Sequence, residues 1–204
     1  EITAMLLFRP RPPPPVPPPP PAPQFVVEDA VPVPTPSNSI MAPDGSGSVQ
    51  VYAGNPENAR LLEIRYPDGT VEYYMGSRGE ERKVTSISPS GYRSSFVGPQ
   101  GQERLVLIRY PESHVEYYQG DPGEERMYSM VLVGGQVQHY DGIRGQERMT
   151  QVRFRDGSHG FYEGAPGEER LVRLVLRNGG SVSYTGPPGE EQPVGTPRSW
   201  NSGA

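Results

Sequence analysis

The chain has 204 residues and a formal net charge of −5, and its 25 glycines and 26 prolines exceed the share expected of an ordinary globular domain. Basic and acidic residues are interleaved along the chain, which argues against a basic stripe and therefore against a nucleic-acid partner. The absence of cysteine excludes disulfides and thiolate chemistry, and no apolar run approaches the ~20 residues of a membrane helix.

Residues 1–43 are predicted to form an extended proline-rich arm, because 15 of the 26 prolines precede residue 44. Eleven of the 14 residues from 10 to 23 are proline, which fixes φ and favours polyproline II. An Arg-x-x-Pro-x-x-Pro pattern fits the ligands of aromatic-lined grooves. The arm either folds back on its own repeats or binds a partner, and the residues expected to bind are Leu6, Leu7, Phe8, Arg9, Arg11, Pro14, Pro17 and Phe25.

A repeat occupies residues 44–194, followed by a C-terminal tail at 195–204. Its clearest copy is Tyr-x-Gly-x-x-Gly-Glu-Glu-Arg at 118–126, and seven copies follow one another every 22 residues without insertion, which indicates a repeat array. Positions below are counted from the aromatic residue as zero. The residues that set the repeat register are Tyr74, Gly76, Arg82, Phe96, Gly98, Arg104, Tyr118, Gly120, Arg126, Tyr140, Gly142, Arg148, Tyr162, Gly164 and Arg170.

Each repeat predicts a two-stranded hairpin, because apolar and polar residues alternate on both sides of a glycine-rich turn. Return turns such as Asp156-Gly157 are typical of hairpins. We therefore expect an all-β fold, an elongated single-layer antiparallel meander of about 14 strands, preceded by the polyproline arm. Positions −3, −1, +10, +12 and +14 are expected to share one apolar face, which must curl, be covered by the arm or meet a partner.

Two recurring columns have both a structural and a functional interpretation. The Glu-Arg pair before each second strand favours a structural role, in which each Arg pairs with a Glu of its own or the neighbouring turn, because a catalytic pair would need one special site. The aromatic column favours cross-strand packing over a stacking platform for bases or sugars. The histidines, His114, His139 and His159, occupy different repeat positions, so convergence on a metal is not expected. We predict no enzyme, no cofactor and no small-molecule substrate.

The Tyr-x-Gly hairpin units of residues 44–194 resemble MORN repeats, and they resemble even more closely the tandem Tyr-x-Gly-x-x-Gly-x-Glu-Arg arrays of microalgal proteins. The typical MORN unit has a Trp after the Tyr-x-Gly, which these copies lack. The resemblance implies a scaffold that ties protein subunits together, with an algal photosystem–antenna complex in a plastid as one concrete assembly and a cytoplasmic scaffold as the alternative location. A membrane-docking module and a carbohydrate-binding sheet are the alternative functions, so peripheral membrane contact stays open.

Overall fold

A computed structural model describes residues 39–43 and 45–195, and this part of the chain forms one open antiparallel sheet. Its 15 strands lie side by side in sequence order, so each strand pairs with the strands before and after it. No helix occurs within these residues. The predicted all-β, single-layer meander is confirmed. Neighbouring strands lie about 4.8 Å apart, so the sheet extends roughly 67 Å along its hydrogen-bonding direction.

The strands follow the repeat. They are β1 (Ser39–Pro43), β2 (Val49–Ala53), β3 (Arg60–Arg65), β4 (Val71–Met75), β5 (Arg82–Ile87), β6 (Arg93–Val97), β7 (Arg104–Arg109), β8 (His114–Gln119), β9 (Arg126–Leu132), β10 (Val137–Asp141), β11 (Arg148–Arg153), β12 (His159–Glu163), β13 (Arg170–Val175), β14 (Ser181–Thr185) and β15 (Gln192–Val194). Two kinds of turn alternate between them: a tight turn of about five residues and a wide turn of six.

The sheet begins earlier than the sequence predicted. Residues 39–43 fall within the predicted arm, yet they form β1 and pair with β2 in a regular register that sets Ile40 opposite Tyr52. At the other end, β15 is short and contains Pro193, which cannot donate a ladder hydrogen bond. The rest of the predicted arm, with its polyproline segment, lies outside the described residues.

The tight turns are closed by two backbone hydrogen bonds that recur in five of the six copies, while the turn at 110–114 keeps one of them. In the turn at 66–70, the Gly69 N–H donates to the Tyr66 carbonyl at 3.0 Å and the Tyr66 N–H to the Thr70 carbonyl at 2.9 Å. The Asp68 carboxylate accepts the Thr70 N–H at 2.8 Å, the local bond that favours Asp in turns. The Asp-Gly signal in the sequence therefore has a direct structural cause.

Six of the seven wide hairpins contain a β-bulge opposite the aromatic residue, a feature that the sequence analysis missed, and β14–β15 pairs without one. In the β4–β5 pair, Tyr73 faces Thr85 but Tyr74 faces Lys83, which leaves Val84 as an extra residue on β5. The same shift follows the −1 residue in all six wide hairpins from β2–β3 to β12–β13. A bulge of this kind bends the strand and increases its twist.

The strand register corrects the predicted apolar face. Position −1 pairs with +11 and position −3 with +13, as in Tyr73↔Thr85 and Val71↔Ile87, whereas +12 pairs with −2. Positions −3 and −1 therefore lie on the opposite face from +12 and +14, which were expected beside them. The error arose because alternation within one strand does not say which residues it faces across a turn.

The two faces have different chemistry. We call the face of positions −2, 0, +9, +12 and +14 the tyrosine face and that of positions −3, −1, +11 and +13 the arginine face. Most strand side chains on both faces are half-buried, as expected for a single layer. Buried apolar side chains are few among the described residues: Val51, Leu62, Val106, Leu107 and Val152, of which Val51 and Val152 are fully buried.

One tight turn departs from the others. In the turn at 110–114, Ser113 replaces the glycine found at the same place in the other five tight turns, and Glu112 takes φ 52°. Glu112 is the non-glycine residue with positive φ among those the structure describes. A side chain in this conformation costs roughly 1–2 kcal/mol.

Replacing Glu112 with glycine should relieve this strain. We expect Glu112→Gly to raise the free energy of unfolding by about 1 kcal/mol, measured as a higher midpoint in urea or thermal unfolding. Glu124→Gly is the matched control, since Glu124 is an exposed turn residue with negative φ, and it should lower stability slightly. Equal effects of the two substitutions would contradict the strain at Glu112.

Candidate interaction surfaces

The tyrosine face is held together by hydrogen bonds between side chains of successive repeats. The Glu72 carboxylate accepts the hydroxyl of Tyr74 at 2.7 Å, the hydroxyl of Tyr66 at 2.9 Å and the ammonium of Lys83 at 3.0 Å. Glu72 and Tyr74 lie on β4, Lys83 lies on β5 and Tyr66 begins the tight turn after β3, so one carboxylate links two strands and a turn. Burial acts to raise the pKa of Glu72, but these three hydrogen bonds outweigh it and the pKa lies below its ordinary value.

The same arrangement recurs further along the sheet. Glu116 accepts the hydroxyls of Tyr118 at 2.7 Å and Tyr110 at 3.3 Å, and His114 Nε2 lies 3.2 Å from it. Burial and the neighbouring carboxylate raise the pKa of the Tyr118 hydroxyl well above its ordinary value. These hydroxyls therefore serve the sheet itself, which favours the packing interpretation of the aromatic column over a stacking platform.

Apolar packing on this face also runs from one repeat to the next. The ammonium of Lys83, at position +9, lies 4.5 Å from the centre of the Phe96 ring in the following repeat. At Gly160, a Cβ would lie 3.1 to 3.3 Å from Tyr162, Leu171 and Phe154, so this small residue leaves room for three large neighbours. The bulge is what brings position +9 onto the tyrosine face.

In five of the seven wide turns, the glutamate just before the second strand binds the backbone of the preceding repeat. Glu125 accepts the Leu105 N–H at 3.0 Å through one carboxylate oxygen and the Gly123 N–H of its own turn at 2.9 Å through the other. The ladder between β7 and β8 ends at Leu107, so the Leu105 N–H lies beyond it and takes the carboxylate as its acceptor. Equivalent bonds at 3.0 to 3.2 Å join Glu81 to Leu61, Glu103 to Lys83, Glu169 to Met149 and Glu191 to Leu171.

Arginines that follow the wide turns also make contacts, with backbone carbonyls and an aspartate that the sequence did not predict and, in one case, with a glutamate. Arg60 and Arg148 each donate to the carbonyl of the glycine in the next wide turn, at 3.5 Å. Arg126 lies 3.5 Å from Asp141, also in the next repeat, while Arg170 lies 4.0 Å from Glu163 of its own turn. Such exposed pairs contribute little individually, but they repeat along the edge of the sheet.

The glycine that opens each wide turn is required by sterics. Gly120 has φ 127°, and a Cβ there would lie 2.6 Å from the carbonyl oxygen of Glu124. The same close approach recurs in the other wide turns from Gly76 to Gly186, at 2.3 to 2.8 Å. The turn must fold this tightly so that Glu125 can reach the preceding repeat.

The arginine face carries more positive than negative charge. At its four defining positions it has five arginines and one carboxylate, that of Glu63, which forms a salt bridge with Arg65. Asp141 and Glu163, at the ends of β10 and β12, are two further carboxylates on this side. The arginines are Arg65, Arg93, Arg109, Arg153 and Arg173. Buried small residues, Thr85, Ser95 and Ser129, lie between the larger side chains of this face. The interleaving of charges along the sequence therefore becomes a separation of charges on the folded sheet.

The local electrostatics agree with a positive arginine face. His139 is half-buried on β10, and burial, together with the nearby Arg153 and His159, lowers the pKa of its imidazole. The Arg173 guanidinium lies 4.4 Å from the centre of the Phe161 ring, a cation–π contact across β12 and β13.

The structure also locates the other predicted features. The register residues line the tyrosine face and the wide turns, whereas the arm residues Leu6, Leu7, Phe8, Arg9, Arg11, Pro14, Pro17 and Phe25 lie outside the described residues. Within residues 39–43 and 45–195, no group of His, Asp and Glu could hold a metal ion. In the same part of the chain, no helix is long and apolar enough to cross a membrane.

No protein-family model matches the chain, and no curated protein is significantly similar to it. The resemblance to MORN repeats therefore stays a prediction from the residues of the array.

The role of the opening glycine can be tested with a pair of substitutions in one turn. Gly120→Ala should lower the free energy of unfolding by about 2–4 kcal/mol, because positive φ and the Glu124 carbonyl both oppose a Cβ. Gly123→Ala should cost only about 1 kcal/mol, since φ is also positive there but nothing lies within 4 Å. Chemical denaturation measures both, and a smaller loss at Gly120 than at Gly123 would contradict the steric explanation.

The glutamates of the wide turns make stability depend on pH. Slight burial acts to raise the pKa of Glu169, but bonds from its own N–H and those of Met149 and Gly167, with the charge of Arg148, hold it below its ordinary value. A carboxylate whose pKa is lower in the folded state stabilises the fold fully above its unfolded pKa of about 4.3 and loses this effect as the pH falls through the folded pKa.

Glu169→Gln should therefore destabilise the sheet at pH 7, and the difference from the native chain should shrink as the pH falls below about 4. Urea unfolding midpoints between neutral and acidic pH measure the effect. Glu168→Gln is the control, because Glu168 is an exposed neighbour in the same turn with the same charge. If the difference in unfolding midpoint between Glu169→Gln and the native chain stayed constant with pH, the charge of Glu169 would not contribute to stability.

Proposed function

We propose that this chain is a non-catalytic scaffold subunit that ties protein components of a larger assembly together through its repeat sheet and proline-rich arm. The observation that supports the proposal most is the use of the recurring polar groups. The glutamates of the wide turns bind backbone N–H groups of the preceding repeat, and the Tyr hydroxyls bind carboxylates on the same sheet. Polar groups that are already hydrogen bonded within the sheet favour a role as a framework.

The open geometry of the sheet points the same way. A single layer leaves two faces of roughly 67 Å by 16 Å available for contact, given the strand number and the length of a five-residue strand. Each face therefore offers on the order of 1,000 Å², comparable with the ~800 Å² that one partner of a standard interface buries. An algal photosystem–antenna complex stays a prediction for the identity of the assembly.

Native co-purification tests the proposal. The full chain and a shortened chain that begins at Ser37, and so keeps β1, would each be isolated from source lysate, and the components that elute with them identified by mass spectrometry. Circular dichroism should first show that both chains contain folded β-structure. We expect the full chain to elute with defined protein subunits in fixed ratio, and the shortened chain to lose some of them.

Other outcomes would point to the alternative functions. If both chains elute with anionic lipid and no protein, the membrane-docking hypothesis replaces the scaffold. If both bind glycans in direct titration and elute with no protein, the carbohydrate-binding hypothesis does so. A full chain that elutes alone under all conditions would overturn the proposal.

A further inference from the structure

The tyrosine face changes in chemistry from one end of the sheet to the other. Between β2 and β8 it carries charged groups, among them Glu72, Lys83 and Glu116. From β9 to β14, by contrast, positions −2, 0, +9, +12 and +14 hold no Asp, Glu, Lys, Arg or His. We call this second part of the face, with the adjoining +14 residues, the apolar patch.

The apolar patch consists mainly of aliphatic, thioether and aromatic side chains. Positions +9 and +12 form its centre, and they are Met127, Met130, Met149, Val152, Leu171 and Leu174. All of these except Val152 are only half-buried. At the tight-turn end, Leu176 is 39% exposed. The long, flexible side chain of methionine adjusts to the shape of a partner, which suits this patch to binding.

The side-chain network of the earlier repeats does not continue through the patch. Position −2 holds Glu72 and Glu116 where a carboxylate accepts Tyr hydroxyls, but it holds Gly160 and Val182 in the last two repeats. Apolar surface therefore replaces the polar groups that occupy the first part of the face. A partner of this patch has to present apolar side chains, because a polar group covered here would find few hydrogen-bonding groups.

The patch has the size of a binding site. Its strands, β9 to β14, span about 29 Å and a five-residue strand about 16 Å, which gives a footprint on the order of 450 Å². Contiguous apolar surface of several hundred Å² on a soluble protein marks an interaction site. An α-helix of about 20 residues is roughly 30 Å long and 10 Å wide, so a helix that crosses these strands covers the patch along its length.

The wide-turn edge beside the patch is acidic. In three of the four wide turns there, position +6 is an exposed glutamate: Glu124, Glu168 and Glu190. Their carboxylates make no hydrogen bond or ion pair with another described residue, unlike that of Glu125, which accepts two backbone N–H groups. Successive repeats are about 10 Å apart, so Glu168 and Glu190 are spaced to bind two cations on one flank of a helix.

The opposite edge of the patch has a different charge. The tight turns there carry Arg155 and Arg177 against one carboxylate, that of Asp156. The arginine face, on the other side of the sheet, also carries more arginines than carboxylates. A partner with a basic flank is therefore attracted at the wide turns and disfavoured elsewhere, which fixes both the face and the direction of the flank. Anionic lipid headgroups would be repelled by the same glutamates.

We propose that the apolar patch is a docking surface for an amphipathic helix of a partner protein, whose apolar stripe packs on positions +9 and +12 and whose Lys or Arg flank pairs with Glu168 and Glu190. The inference rests on the proposed scaffold function and deepens it by naming the surface and the chemistry of the partner. The apolar contact supplies most of the affinity, and the carboxylates orient the helix.

A pair of synthetic helices tests the surface directly. The probe is a peptide of about 20 residues with Leu at helical spacing and Lys along one flank, and a second peptide has Glu in place of each Lys. Binding of each to the full chain is followed by fluorescence anisotropy. We expect saturable binding of the Lys peptide that weakens with added salt, and about tenfold weaker binding of the Glu peptide.

Two neighbouring residues on β13 separate the patch from the other face. Leu174→Gln should weaken binding of the Lys peptide about tenfold, because it places an amide at the centre of the patch. Val175→Gln is the matched control, since Val175 is the half-buried neighbour on the same strand and lies on the arginine face. The control should bind as the native chain does, and unfolding midpoints should verify that both variants remain folded.

A second pair of variants tests the acidic edge in exposed turns, where the sheet itself is not disturbed. Glu168→Gln with Glu190→Gln should weaken binding of the Lys peptide about fivefold. Glu57→Gln with Glu80→Gln is the control, because these exposed glutamates lie in wide turns at the other end of the sheet and their loss changes the net charge equally. This control should leave binding unchanged.

The possible results are distinct. No saturable binding of the Lys peptide, equal binding of the two peptides, equal losses in a variant and its control, or tighter binding of phosphatidylserine vesicles would each overturn the proposal. A dimer in sedimentation that Leu174→Gln dissociates would assign the patch to a second copy of the chain and overturn it as well.

The native co-purification is then repeated with the Leu174→Gln chain. Loss of a protein partner that the Val175→Gln chain retains would support the proposal. If the protein partners are retained unchanged, the apolar patch is not their site although the scaffold function stands. If the native chain has no protein partners, the scaffold function itself fails.

Discussion

The sheet depends on glutamate carboxylates that accept backbone N–H groups where the ladder between two strands has ended. In five places an N–H near the start of a strand, such as that of Leu105 on β7, lies beyond the end of the ladder to the next strand, and the glutamate of the following wide turn accepts it. A buried or half-buried N–H without an acceptor is costly, and a charged acceptor makes a stronger bond than a carbonyl. The same gap arises at successive junctions between repeats, which explains why the Gly-x-x-Gly-x-Glu pattern returns with a period of 22 residues. The opening glycine, as at Gly120, is the steric condition for that bond.

The bulge opposite each aromatic residue decides the chemistry of the two faces. In an unbroken strand, positions +9 and +11 would share a face, whereas the extra residue at +10 places them on opposite faces. With it, Leu171 packs beside Gly160 and Lys83 reaches both Glu72 and Phe96 on the tyrosine face. Because the bulge recurs in six of the seven wide hairpins, the same arrangement applies in the strand pairs from β2–β3 to β12–β13.

The sequence was sufficient to predict features within one hairpin, and insufficient to predict which residues face each other across a turn. Strand alternation, the Asp-Gly turns and the period predicted the meander, because each of these signals lies within one hairpin. The shared apolar face was wrong, since a bulge of a single residue reverses the side on which later residues lie. The partner of Glu125 lies 20 residues earlier in the chain, and no motif marks the Leu105 N–H as its donor. The separation of charges was likewise invisible in a sequence where Arg and Glu are neighbours.

A single-layer sheet has no second layer to bury its side chains, and this links the fold to the proposed function. Few side chains are fully buried, so much of the apolar area on both faces is only half removed from water. Each square ångström that a partner covers would add about 25 cal/mol of favourable burial, so binding completes a core that folding leaves open. Since the faces differ, a partner suited to the tyrosine face is unsuited to the arginine face. Under the proposed function, one subunit would hold two different proteins on opposite sides of the sheet.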